Sequence, residues 1–316
     1  MKDQTGSLRG RSVALLVLAG LLAGLLAGVP AAAEPPASFR DRAWTWGYVI
    51  PGKLPGPVPF VFPDGSSCSL ETAAEYLGTP NVVLMNAKWA EPGHLERLTS
   101  CRRVLCAIQV HDAAGAAKLS ALSKKHPNIV GAMIDDFYPV EAKEGILPVE
   151  VLKATYTALK SANPALKLYV VRYTTTKDEA LIPYLPYFDV VNLWSGSGTR
   201  EGMWPNMEDR VEKLAQVTGK PIVIGLYLHN YQAPRPDNWK TMAPWTWTKV
   251  MPMDMLQDQQ LKTTDLLRKG KIEGFILLQN GWLDYETHRP QMQWTKDYLD
   301  WLFQTQTIRK PSQEKN

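Results

Sequence analysis

Residues 129–138 read IVGAMIDDFY. The run 129–134 is apolar, follows His126-Pro127-Asn128, and has the length of a strand covered on both faces. It stops on two adjacent carboxylates, Asp135 and Asp136. Parallel α/β sheets, open or closed, keep their active sites at the C-terminal ends of strands. An acid pair there serves either chemistry or a structural pairing with Lys or Arg, and the rest of the chain must decide which.

Seven similar runs flank this one, so that the strand candidates are 44–50, 82–86, 104–111, 129–135, Lys167–Tyr173, 190–195, 222–229 and 274–280. Helix-like segments fall between them at Leu70–Leu77, 93–99, 114–125, 148–161, 179–187, Met207–Thr218, 255–269 and 289–303. Gly219 and Gly270 close two of the helices, whereas Pro183 and Pro186 interrupt the segment 179–187. The alternation predicts an α/β fold, a single parallel (β/α)8 TIM barrel over 34–305, for which about 250 residues suffice. A doubly wound open sheet would place a glycine-rich phosphate loop after its first strand. Here the first strand runs into PGKLPGP at 51–57, which cannot open a helix promptly. There is no GxGxxG, no P-loop, no nucleophile elbow and no HExxH, so no cofactor is expected.

The chain begins with Lys2, Arg9 and Arg11, an apolar run over 13–29, and Ala31-Ala32-Ala33 before Glu34-Pro35-Pro36. This is the pattern of a signal peptide over 1–33, predicting a secreted or periplasmic protein with no stable membrane association after cleavage. The polar residues 306–316 are expected to be a disordered tail. A formal charge of +4 over 316 residues is too weak to imply nucleic acid, and a monomer is expected. Three cysteines, Cys68, Cys101 and Cys106, make neither a disulfide scaffold nor a metal motif. Export permits a Cys68–Cys101 bridge, while Cys106 lies inside an apolar strand.

A barrel brings all eight strand ends to one rim. Read in order, they offer Trp46 and Tyr48; Asn86 and Lys88; His111; Asp135 and Asp136; Arg172 and Tyr173; Asn192 and Trp194; Tyr227 and His229; and Gln279, Asn280 and Trp282. The set mixes acids, amides and aromatics. Of the 11 tryptophans, Trp89, Trp194, Trp204, Trp239, Trp245, Trp247 and Trp282 fall at strand ends or in the following loops. Indole faces stack on the C–H faces of sugar rings, and amides and acids bind hydroxyls, so a carbohydrate partner is expected. Packing of the long loop 230–254 against the rim accounts for some of these indoles.

Glycoside hydrolysis generally needs two carboxyls, one holding its proton. The seventh strand, PIVIGLYLHN, ends without an acid, which disfavours barrels with one acid on the fourth strand and another on the seventh. GAMIDDFY instead resembles the fourth-strand motif of the substrate-assisted hexosaminidases, in particular the adjacent Asp-Asp of the O-GlcNAcase type, with FDVVNLWS loosely similar to the sixth strand of chitinase-type barrels. The resemblance implies that the substrate's 2-acetamido oxygen is the nucleophile. It also implies that Asp135 orients the acetamido N–H and Asp136 is acid then base, with Tyr173, Asn192 and Asn280 among the sugar ligands. The Glu of the chitinase motif is absent, and Phe137 and Tyr138 stand near its place. Neighbouring side chains on a strand point to opposite faces, so both acids reach one site only if the strand ends or twists at Asp135.

Three readings follow: an exported glycoside hydrolase, a catalytically silent carbohydrate-binding barrel, and a metal-dependent exported hydrolase using His111, Asp112, the acid pair and His229. Within the first, Glu201, Asp284 and Glu286 are candidates for a distant second acid.

Overall fold

The computed structural model describes residues 38–50, 66–85, 89, 93–139, 145–234, 236–238 and 249–305. The signal peptide and the tail expected at 306–316 lie outside these residues, as do Asn86, Lys88, Trp239, Trp245 and Trp247.

Eight parallel strands close into a barrel. They are β1 (Ala43–Gly47), β2 (Asn81–Leu84), β3 (Arg103–Ile108), β4 (Ile129–Ile134), β5 (Lys167–Tyr173), β6 (Val190–Trp194), β7 (Ile222–Tyr227) and, after a short antiparallel pair β8 (His229–Asn230) and β9 (Lys249–Val250), β10 (Gly274–Leu278). Sequence neighbours pair around the ring, and β1 closes it against β10 with Trp46 beside Leu278. β4 and β10 stand on opposite sides of the barrel. Their side chains are buried almost throughout, as expected of strands with helices outside and a filled interior within.

Helices Leu70–Leu77, Ala113–Leu122, Val149–Lys160, Met207–Thr218, Met253–Arg268 and Arg289–Thr305 form the outer layer. Gly78 and Gly219 take φ of 70° and 62° directly after two of them, the left-handed stop that glycine adopts without a Cβ penalty. The proline-bearing segment after β5 is a 3-10 helix, Asp178–Tyr187, and the expected helix at 93–99 is reduced to a 3-10 turn at Glu96–Leu98. Cys68, Cys101 and Cys106 are free thiols. Burial pushes the Cys106 thiol up, out of the range of reactivity.

The strands stop earlier than the apolar pattern does. Val49 and Ile50 are buried yet lie beyond β1, where the chain turns to pack under Leu70 and Ser69. Hydrophobicity marks burial, and here a buried loop continues the pattern.

Candidate active site

A cavity of about 340 Å³ opens at the C-terminal mouth of the barrel. Trp46, Met85, Asp135, Asp136, Tyr138, Tyr173, Trp194, Tyr227, Tyr231, Gln232 and Leu278 line it. Two further hollows, of about 270 and 450 Å³, lie between outer helices beside Glu208 and Asp254. Their charged side chains are engaged in ion pairs such as Lys262–Asp258 and Arg200–Asp254.

The two acids share the cavity because the strand ends. β4 stops at Ile134, and Asp136 takes φ 47°, in the left-handed region that Asp tolerates better than most residues. The Asp136 N–H donates to Asp135 Oδ1 at 2.9 Å. The turn is fastened behind: Phe137 N donates to Val171 O at 3.2 Å, and Arg172 Nη1 donates to Phe137 O at 2.6 Å. Arg172 is fully buried and braces backbone, with Nη2 donating to Lys177 O.

The acids stand in different electrostatic surroundings. Crowding by protein, and then the neighbouring Asp136 charge, raise the Asp135 carboxyl to about 7, partly offset by the Asp136 N–H. Both side chains retain accessible surface, so the desolvation is that of a narrow bowl still open to water. Asp136 Oδ1 accepts from Tyr173 Oη at 2.6 Å, a charge-assisted hydrogen bond. The Tyr173 ring stacks on Tyr138 with centroids 5.6 Å apart and planes at 7°. Burial, then Tyr227 and the two acids, hold the Tyr173 phenol protonated, a fixed donor.

The opposite wall is aromatic. Trp46 and Trp194 pack at 5.7 Å, Trp194 and Tyr227 at 4.9 Å, and Tyr227 and Tyr231 at 5.9 Å. Gly225 makes room for the first of these contacts: a Cβ there would lie 1.9 Å from the Trp194 indole. Asn192 Oδ1 accepts from Trp194 Nε1 at 2.6 Å, and its Nδ2 donates to Val223 O, so this amide orients the indole. Trp282 Nε1 and Gln279 Nε2 both donate to Tyr231 Oη.

Of the residues singled out from sequence, Trp46, Asp135, Asp136, Tyr173, Trp194 and Tyr227 meet in the cavity. Others serve the frame. Asn280 bridges Tyr48 N, Tyr48 O and Cys68 O at 2.7–3.0 Å, tying β10 to the chain after β1. His229 pairs with His288 through ring nitrogens 2.8 Å apart and stacks on Trp282 at 3.9 Å. Burial, then His288, push His229 down to about 3, so the pair is neutral. His111 sits exposed in a turn, and the adjacent Asp112 caps helix Ala113–Leu122 by accepting from Gly115 N. Trp89 is buried, donating to Ala107 O. Glu201 and Glu286 are exposed, and Asp284 holds Ser66, Ser67 and Cys68; none lines the cavity. Among the described residues no group of three or more His, Cys, Asp or Glu is placed to hold a metal ion.

Sequence reasoning did not single out Met85, Tyr231, Gln232 or Leu278 as site residues. Tyr231 and Gln232 follow β8 in an aperiodic stretch, and their only signal is proximity to the end of β7.

No protein-family model and no curated protein matches the chain. Solved structures match it in fold. A protein assigned as an α-L-fucosidase from Bacteroides thetaiotaomicron aligns over 98% of this chain and 100% of its own, at 8% identity and TM-score 0.54. The β-galacturonidase of Eisenbergiella tayi, bound to galacturonate, aligns over 84% of this chain and 52% of its own, at 12% identity and TM-score 0.51. A β-glucuronidase from an uncultured Clostridium aligns over 65% of this chain at 10% identity and TM-score 0.45, and the chain spans only 38% of its length. At such identities the likeness is one of fold alone, a (β/α)8 barrel.

Proposed function

We propose that this protein is an exported glycoside hydrolase that cleaves N-acetylhexosaminides with the substrate's own acetamido group as nucleophile. One observation carries the reading: the aromatic bowl holds two adjacent carboxyls from one strand end, and no third acid among its described lining. An enzyme that relied on two opposed carboxylates would need them about 5–5.5 Å or about 6.5–9.5 Å apart across the sugar. The acids at hand stand side by side on one wall, so the opposite face of the anomeric carbon needs a nucleophile from the substrate. Two structurally similar proteins with TM-scores above 0.5 carry glycosidase names, in agreement with this reading.

The environments assign the roles. Asp135, raised to about 7, holds a proton near neutrality and is the general acid. Asp136, stabilised as a carboxylate by the Tyr173 hydroxyl, accepts the acetamido N–H. This reverses the order that the family resemblance implies. As the C1–O bond breaks, Asp135 protonates the leaving oxygen and the acetamido carbonyl oxygen bonds to C1, giving an oxazoline-type intermediate. Asp135, now a carboxylate, takes a proton from water as that water attacks C1 and the intermediate reopens. Trp194 and Tyr227 offer faces for the sugar ring.

Leaving-group dependence tests this assignment. Asp135→Asn should retain turnover of aryl N-acetylglucosaminides with strongly acidic phenols and lose it for weakly acidic ones. Asp136→Asn should lose both alike. The reverse pattern would exchange the roles, and wild-type inactivity on every aryl hexosaminide would remove the proposal.

A further inference from the structure

The bowl is unusual in its charge. Its described lining contains two carboxyls and no Lys, Arg or His, and the nearest buried guanidinium, Arg172, donates to backbone carbonyls behind the turn. Four phenol or indole rings, Tyr138, Tyr173, Trp194 and Tyr227, stand around the acids. Aromatic faces and an acid pair that shares a negative charge together favour a cation and disfavour an anion, because ring quadrupoles and that charge act with the same sign. The fold-level relative from Eisenbergiella tayi is bound to galacturonate, an anionic sugar, which this lining would repel.

A second observation lies across the barrel. Trp46, on β1 beside β10, lines the same cavity, is 2% exposed, and its indole Nε1 has no hydrogen-bond partner among the described residues. An indole N–H is a donor only. A buried donor of this kind calls for an acceptor, and a ring hydroxyl supplies one.

Building on the reading of the bowl as a sugar site, we propose that it binds a protonated amino sugar, with the ammonium group against Asp135 and Asp136 and a far-side hydroxyl accepting from Trp46 Nε1. A free amine lacks the acyl oxygen that attacks C1. Such a ligand therefore occupies the bowl without being cleaved and competes with N-acetylated substrate. The site would in this way sense the ratio of deacetylated to acetylated hexosamine.

Calorimetric titration of the full chain with glucosamine, glucose and glucuronate tests the proposal without requiring turnover. Glucosamine should bind at least about tenfold more tightly than glucose, the neutral ring that differs by one group, and glucuronate more weakly than either. The glucosamine preference should shrink with added salt, whereas glucose binding should not change. Asp136→Asn, an isosteric change, should bring glucosamine to within about threefold of glucose, and Trp46→Phe should weaken glucosamine and glucose alike. Equal binding of glucosamine and glucose by the wild type, tighter binding of glucuronate, or no binding of any of the three overturns the proposal. Hydrolysis of N-acetylhexosaminides with no amine preference would leave the proposed activity standing and remove only this inference. Amine preference without hydrolysis would do the opposite.

Discussion

The Tyr173 hydroxyl donates to Asp136 Oδ1 across 2.6 Å, from the end of β5 to the turn that follows β4. This bond separates two acids that adjoin in sequence. It fixes the Asp136 side chain in place, while burial and the neighbouring Asp136 charge raise the Asp135 carboxyl to about 7.

Removing that hydroxyl should therefore lower turnover. Tyr173→Phe keeps the ring that stacks on Tyr138 and deletes the donor. The Asp136 carboxyl then loses the donor that fixes its position. A loss of about 10- to 100-fold in kcat, with KM changed less, is expected from a charge-assisted bond. An unchanged kcat would show that the bond does not position Asp136.

Asp135 also links stability to pH. Its carboxyl, ordinarily near 3.8, is raised to about 7 in the folded protein. Between those values the folded state binds more protons than the unfolded one, so stability falls as pH rises through the window and stays lowered above it. Asp135→Asn cannot ionise and escapes this loss. The variant's Tm relative to wild type should thus be more favourable at pH 8 than at pH 4, as thermal unfolding at the two values would measure.

The aromatic floor depends on a missing side chain. Gly225→Ala would place a methyl 1.9 Å from the Trp194 indole, which is held by Asn192 and packed on Trp46 and Tyr227. Overpacking at a buried site costs about 1–3 kcal/mol. Urea unfolding should show a loss in that range, and sugar affinity should fall as the indole leaves its place.

Asn280 is a frame residue. Its amide makes three hydrogen bonds to Tyr48 N, Tyr48 O and Cys68 O. Asn280→Ala removes all three bonds, although Tyr48 O keeps the one from Leu70 N, and should destabilise the protein by about 1–3 kcal/mol. If Asn280 were instead a sugar ligand, the variant would keep its Tm and lose affinity alone.

These two amides show where the sequence stops being informative. The eight strands and their order follow from apolar runs separated by helical segments, because burial on both faces writes a continuous signature. The acid pair is equally visible as the end of such a run, but its sequence fits a structural pairing as well as chemistry, and it is the fold that sets it beside a cavity. Asn192, inside β6, and Asn280, just past β10, by contrast carry no mark in the sequence of which partner they bind. An amide donates and accepts equally well to backbone and to ligand, and only coordinates reveal that these two face backbone and an indole. His229 closes β7 in the apolar pattern but pairs with His288, 59 residues away, which no local spacing announces. Tyr231 joins the bowl because Trp282 and Gln279 hold its oxygen, again a contact between distant segments.

The reaction itself is best judged with aryl hexosaminides whose N-acyl group is acetyl, monofluoroacetyl or trifluoroacetyl. If the acyl oxygen attacks C1, each fluorine withdraws electron density from the nucleophile, and kcat/KM should fall steeply along the series, with the 2-hydroxy glucoside inert. A flat series, or hydrolysis of the glucoside at a comparable rate, would show that the substrate's acetamido group is not the nucleophile.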